Sequence, residues 1–267
     1  MVSADKPAVR LFDGPAAVFA ALRRVGQRPL YWPYLAVPML IFTLLSALAL
    51  GAALLYARPA LEALIEGRSG VAWIDRALVF AATLGAASLG LFAAALLATP
   101  LSAPALETLV RYTSRDLGLP PYASLGFVQE LWCGLRAQAA ALIWTAPFWV
   151  LLFALDLAFP PLIPLTTGLR ALLASFGVAW ALIDYPLTLR GIGVRQRFRL
   201  LFGRARGPVL AFGATFAVLF WLPCCGLSLI GVGVVAATEL VARLSASDPE
   251  WRAALERAAH GPTAIPS

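Results

Sequence analysis

The sequence predicts an all-α integral membrane protein with two long transmembrane helices and two helical hairpins, re-entrant or spanning. Three observations predict it. First, 61% of the 267 residues are hydrophobic and only 13% are charged, with a mean hydropathy of +0.82. A soluble domain is roughly 45–50% apolar and about 25% charged. This chain lacks the polar surface a globule needs, which excludes a cytosolic enzyme or a free nucleic-acid-binding protein. Second, the charges are clustered and leave long uncharged stretches between them. Third, proline-rich or Pro-Cys-Cys-Gly breaks interrupt two of those stretches.

The elements follow in order. Residues 13–28 read as an amphipathic helix. Asp13 and Pro15 suit its start, and Val18, Phe19, Leu22 and Val25 share a face. Such a helix lies in the headgroup layer or packs on the rest of the protein. Asp5, Lys6 and Arg10, well before the first apolar run, argue against a secretory signal. Transmembrane helices are expected over 31–57 and 77–104. The uncharged runs there exceed the ~20 residues that cross a ~30 Å hydrocarbon core. Tyr31, Trp32 and Tyr34 read as an aromatic belt, and Pro100 and Pro104 kink or stop the second helix.

Residues 105–136 mix charged and apolar side chains and read as two surface helices joined at Gly118-Leu119-Pro120-Pro121. A hairpin over 137–183 has its tip at Pro160-Pro161-Leu162-Ile163-Pro164, which cannot continue a helix. A second hairpin, 207–242, breaks at Pro223-Cys224-Cys225-Gly226. Its first arm, 208–222, reaches only ~22 Å at ~1.5 Å per residue, which suits a re-entrant hairpin. Residues 1–243 thus read as a single membrane domain, and 244–267 as a polar tail with a surface helix.

The net charge is +7 and the pI about 9.9. In a soluble protein that would suggest nucleic acid; here the cations lie between apolar runs and read as topology signals and headgroup contacts. The loop 184–206 holds Arg190, Arg195, Arg197, Arg199, Arg204 and Arg206 against Asp184 alone. The positive-inside rule places it, with both termini, in the cytoplasm. A single lysine, Lys6, beside abundant Arg, Ala, Leu, Gly and Pro suggests a GC-rich bacterial genome, hence an inner-membrane location. Three cysteines make no disulfide framework.

The stretch Ala181-Leu182-Ile183-Asp184-Tyr185-Pro186-Leu187-Thr188-Leu189-Arg190-Gly191, followed by Arg197, Arg204 and Leu210-Ala211-Phe212-Gly213, resembles the CysZ-type sulfate permease family, which shares a domain with eukaryotic etoposide-induced proteins. There an apolar arm ends in Asp-Tyr-Pro, a Gly and a basic segment follow, and Phe-Gly opens the last hairpin. Pro38, the Pro100 to Glu107 segment and the Pro-containing tip add to the match, which covers roughly 14–243. The resemblance implies two long membrane helices, two hemi-penetrating hairpins, a homo-oligomer and uptake of an inorganic anion. One departure stands out. The family's Pro-Gly-Leu-Arg, associated with sulfate, reads Pro29-Leu30-Tyr31-Trp32 here. The Arg is absent, and Arg28 is the nearest substitute.

Candidate anion ligands are Arg28, Arg170, Arg190 and Arg197, because guanidinium forks match oxyanions. The motif residues are Asp184, Tyr185, Pro186, Gly191, Phe212 and Gly213. Asp184 either pairs with a loop arginine or caps a turn at which Pro186 ends the helix. Asp156 and Arg170, charges within the first hairpin, sit where they can pair or meet a passing anion. Arg195, Arg199 and Arg206 lie at near-helical spacing, able to attract anions by field or to bind lipid. Cys224-Cys225 makes a poor metal site, Gly226, Gly231 and Gly233 suit close helix packing, and His260 is in the tail. No metal, cofactor, nucleic-acid partner or catalytic constellation is expected. Two functions remain: an oxyanion transporter, sulfate foremost, or a non-transporting membrane scaffold of the same fold.

Overall fold

The computed structural model describes residues 11–65, 71–122, 126–220 and 228–260. The hairpin tip expected at 223–226, Gly226 and Lys6 lie outside them, as do residues 261–267 of the tail. The described residues are helical, with turns and no strand, as the hydropathy pattern predicts. Among them, four stretches are long and apolar enough to cross a membrane: Pro29–Ile65, Ala72–Leu101, Pro160–Leu189 and Leu229–Ser247. The chain divides into two compact units, one of Val37–Ser102 and one of Met1–Ala36 with Ala103–Ser267.

α2 (Trp32–Ala52), which belongs to the smaller unit from Val37 on, passes through a π-helical turn, Ala53–Ala57, into α3 (Arg58–Ile65). The helix therefore outruns its predicted end at 57. Arg58 and Glu62, 2.9 Å apart at i,i+4, support the added turns. It lies beside α4 (Ala72–Leu101). Four small residues, Ala53, Ala87, Ala94 and Ala98, are buried, along with Pro38, Asp75, Pro100 and Ser102. A methyl group at Gly90 would stand 2.9 Å from the Ala49 Cβ. Leu40, Leu44, Leu48, Phe80, Leu84 and Leu89 remain exposed. Small residues inside and large apolar ones outside is the pattern of helices packed in lipid. The hydroxyls of Thr43, Thr83 and Ser88 each donate to the carbonyl four residues back at 2.8 Å, satisfying polar groups without water.

The larger unit is built around α10 (Ser228–Ser247). Val232, Val234, Val235, Ala236, Ala237, Leu240, Val241 and Leu244 are all buried. Packed on it are α1 (Asp13–Gln27), α5 (Ala103–Asp116), α7 (Ile163–Leu189) and α11 (Pro249–His260), and α9 (Arg206–Phe220) runs against α7 and α1. Gly14 meets the Pro208 carbonyl and Phe212 backbone, and Gly231 and Gly233 meet Leu35 and Leu182. The predicted role of the last two glycines is thus observed.

Four expectations are corrected. The buried face of α1 is Gly14, Ala17, Val18 and Ala21, while Phe19 and Leu22 face outward; the crossing with α9 and α10 admits only small side chains. Tyr31 is not a belt residue but is 1% exposed, because its hydroxyl has a carboxylate partner inside. α6 (Phe127–Ala158) begins ten residues before the expected hairpin arm and absorbs the second surface helix, since nothing after Gly126 breaks it until Phe159-Pro160. The C-terminal segment is more than a polar tail. Asp248 accepts from the Glu250 amide at 2.8 Å and so caps α11, whose Trp251, Ala254 and Leu255 are buried at helical spacing.

Candidate functional site

The Asp-Tyr-Pro block does not end its helix. α7 runs through Pro186 to Leu189; membrane helices tolerate an interior proline. Gly191, at φ 73°, ends it. Its amide donates to the Thr188 carbonyl at 2.8 Å and that of Ile192 to Leu187 at 3.2 Å. This is a Schellman closure, with Leu187 and Ile192 both buried beneath it. The turn brings α8 (Val194–Phe198) back along α7, so that Arg197 donates to the Asp184 carboxylate and the Thr188 hydroxyl. Both charged side chains are about nine-tenths buried. The Tyr185 hydroxyl donates to the Ala103 carbonyl at 2.9 Å. Asp184 therefore takes the ion-pair role rather than the capping one.

Arg190 sits at the end of α7 and is 4% exposed. It donates to the Ser114 hydroxyl and the Pro120 carbonyl, both at 2.8 Å, and lies 5.1 Å from the centre of the Tyr122 ring. Ser114 and Pro120 flank Gly118, which at φ 65° closes α5 as Gly191 closes α7. A guanidinium thus joins two helix C-termini, where the backbone dipoles favour a cation. Burial pushes Arg190 below the ordinary guanidinium value, and Tyr122 partly offsets it.

The third arginine cluster joins α1, α5 and α10. Arg28 donates to the Asp116 carboxylate, and the Tyr31 hydroxyl donates to the same oxygen at 3.0 Å. Arg24 lies 3.8 Å from Asp116 and 2.9 Å from Glu239. Arg243 is 3.6 Å from Glu239. Three arginines thus meet two carboxylates, with the positive excess at its exposed end, where the Arg28 side chain is 50% accessible. Burial opposes the charge on Asp116, but Arg28, Tyr31 and Arg24 outweigh it and hold the carboxyl below the usual range. The hydrogen bond and charge of Asp116 raise Arg28 in turn. An oxyanion reaching Arg28 meets a half-open guanidinium that already binds an anionic group.

In the first hairpin, Arg170 pairs with Asp156, as the spacing allows, and also donates to the Leu152 carbonyl at 3.2 Å. Thr166 donates to Asp156. Phe212 and Gly213 belong to packing. Phe212 is fully buried, and any side chain at Gly213 would strike the Ser175 carbonyl of α7. The predicted residues fall into separate places: Arg190 on Ser114 and Pro120 and Arg197 on Asp184 and Thr188, Arg28 with the α1 cluster, and Arg170 in the hairpin. Sequence reading missed Arg24, Asp116, Glu239 and Tyr122 as partners. Glu239 carried one signal, as the first charge after the uncharged run 207–238.

These features define an all-α, multi-pass membrane protein with ionic clusters at its helix ends. Residues 17–230 match the family described as sulfate transporter CysZ/etoposide-induced protein 2.4, and the chain belongs to that family. No individual curated protein matches it.

Proposed function

We propose that the chain is a bacterial inner-membrane transport protein for an inorganic oxyanion, sulfate foremost, carrying it into the cell. On this reading it works as a homo-oligomer without a cofactor, with both termini cytoplasmic. The family match over residues 17–230 carries the proposal. The arginine excess around Asp116 and Glu239 supports it, because a net positive cluster with one half-exposed guanidinium suits an anion. Arg28 stands in for the missing family arginine, exchanging Asp116 for the anion. Arg170, drawn from Asp156 in the same way, serves further along the path.

The test is uptake of labelled sulfate by liposomes holding the purified protein, with Arg28→Gln and Arg170→Gln compared. The proposal expects uptake above empty liposomes and a several-fold drop in each variant. A second reading, a non-transporting scaffold, draws on a different observation. Arg28, Arg170, Arg190 and Arg197 all have partners within the chain. Folded, oligomeric protein without uptake favours it.

A further inference from the structure

The segment after Gly191 carries a surface that the ionic clusters above do not use. α8 and the π-helical turn Arg199–Arg204 turn one face inward, burying Arg197, Leu200 and Leu201. The other face exposes Val194, Arg195, Phe198 and Arg199, with Phe198 54% and Val194 60% accessible. Among the described residues, no carboxylate pairs with Arg195 or Arg199. Phe198 belongs to a run of rings: it lies 5.0 Å from Phe202 and 6.1 Å from Trp180, and Phe202 stacks on Phe176 at 4.6 Å.

Depth follows from helix length. α7 has 27 residues, about 40 Å at ~1.5 Å per residue, against a ~30 Å core. Charge assigns the excess to the C-terminal end: Ile163, Leu165 and Leu169 expose apolar side chains in the first turns, whereas Asp184, Arg190, Arg195, Arg197 and Arg199 all follow Trp180, so Asp184, Thr188 and Arg190 are assigned to the headgroup layer. Trp180 then falls at the boundary, where aromatic rings concentrate. Because α8 runs back along α7, Arg195 stands beyond that boundary and Arg199, next to Phe198, stands level with Trp180, from where a long side chain reaches lipid phosphates. Exposed cations beside exposed apolar side chains match a phospholipid, with its anionic head above and its acyl chains below.

We propose that the face formed by Val194, Arg195, Phe198 and Arg199 binds the headgroups of anionic phospholipids. This holds whatever the protein transports. The test is thermal unfolding of the full chain in detergent, with phosphatidylglycerol or phosphatidylcholine added. Phosphatidylglycerol raises the unfolding midpoint by several degrees more than phosphatidylcholine, and the excess shrinks at high salt. Arg195→Gln/Arg199→Gln removes at least half of the excess and keeps the phosphatidylcholine midpoint, while Arg195→Lys/Arg199→Lys retains most of it. An excess unchanged by the Gln variant or by salt overturns the proposal. So does an equal effect from inorganic phosphate, which would mark a free-anion site. If the Gln variant is unstable, the salt dependence of the native chain decides alone.

Discussion

Arg197 and Asp184, 13 residues apart in the chain, form a buried ion pair across the turn at Gly191. The pair fixes the return of the chain after α7 and so the start of the hairpin that follows. Removing one partner strands a charge that is about nine-tenths buried. Asp184→Ala and Arg197→Ala are each expected to cost about 3–5 kcal/mol. The Asp184→Ala/Arg197→Ala double variant should cost less than the sum of the two single changes. Denaturant unfolding in detergent checks this as a double-mutant cycle.

The crossing of α7 with α9 gives a contrast of two glycines. A Cβ at Gly213 would strike the Ser175 carbonyl, while Gly177, one half-turn along α7, has nothing within 4 Å of its added Cβ. Gly213→Ala should destabilise by ~1–3 kcal/mol through forced separation of the helices. Gly177→Ala should be neutral or stabilising by roughly 0.5–1 kcal/mol, from better helix propensity. The same unfolding measurement reads both.

Stability should fall at both ends of the pH scale for identifiable reasons. Burial, helped by the charge of Glu107, pushes the Tyr122 phenol up to about 12. The folded chain keeps a proton that the unfolded chain releases near pH ~10. This contribution is complete below about pH 10 and is lost as the pH rises to about 12. Tyr122→Phe should flatten that alkaline fall. Asp116 works in the opposite sense, since its carboxyl is held below the usual range. Its contribution is present above about pH 3.9 and is lost as the pH falls through the depressed value. Asp116→Asn should lower the midpoint at neutral pH and flatten the acid limb. Thermal midpoints across pH check both.

What the sequence disclosed depended on the range of each interaction. The break between the arms was legible because clustered prolines forbid a continuous α-helix by covalent geometry, but it is shorter than the expected 160–164: it spans Pro160–Leu162, and Pro164 already sits in the first turn of α7. Pro186 misled because a lone proline is compatible with both a stop and a kink; the left-handed Gly191 five residues on does the stopping. Asp156 and Arg170 were legible as a pair because both arms of one hairpin carry them past each other. Arg28 and Asp116 were not, being 88 residues apart and brought together only when α1 and α5 pack around α10. The buried face of α1 was misread because both of its sides are apolar, and only the crossing with α9 selects the smaller residues.

Sulfate flux tests the central claim most directly. Liposomes holding the purified chain should accumulate labelled sulfate above empty liposomes, and Arg28→Gln should reduce the uptake several-fold in protein that still unfolds cooperatively, with a midpoint lowered no more than in Asp116→Asn. Uptake by well-folded protein no greater than that of empty liposomes would contradict the transport reading.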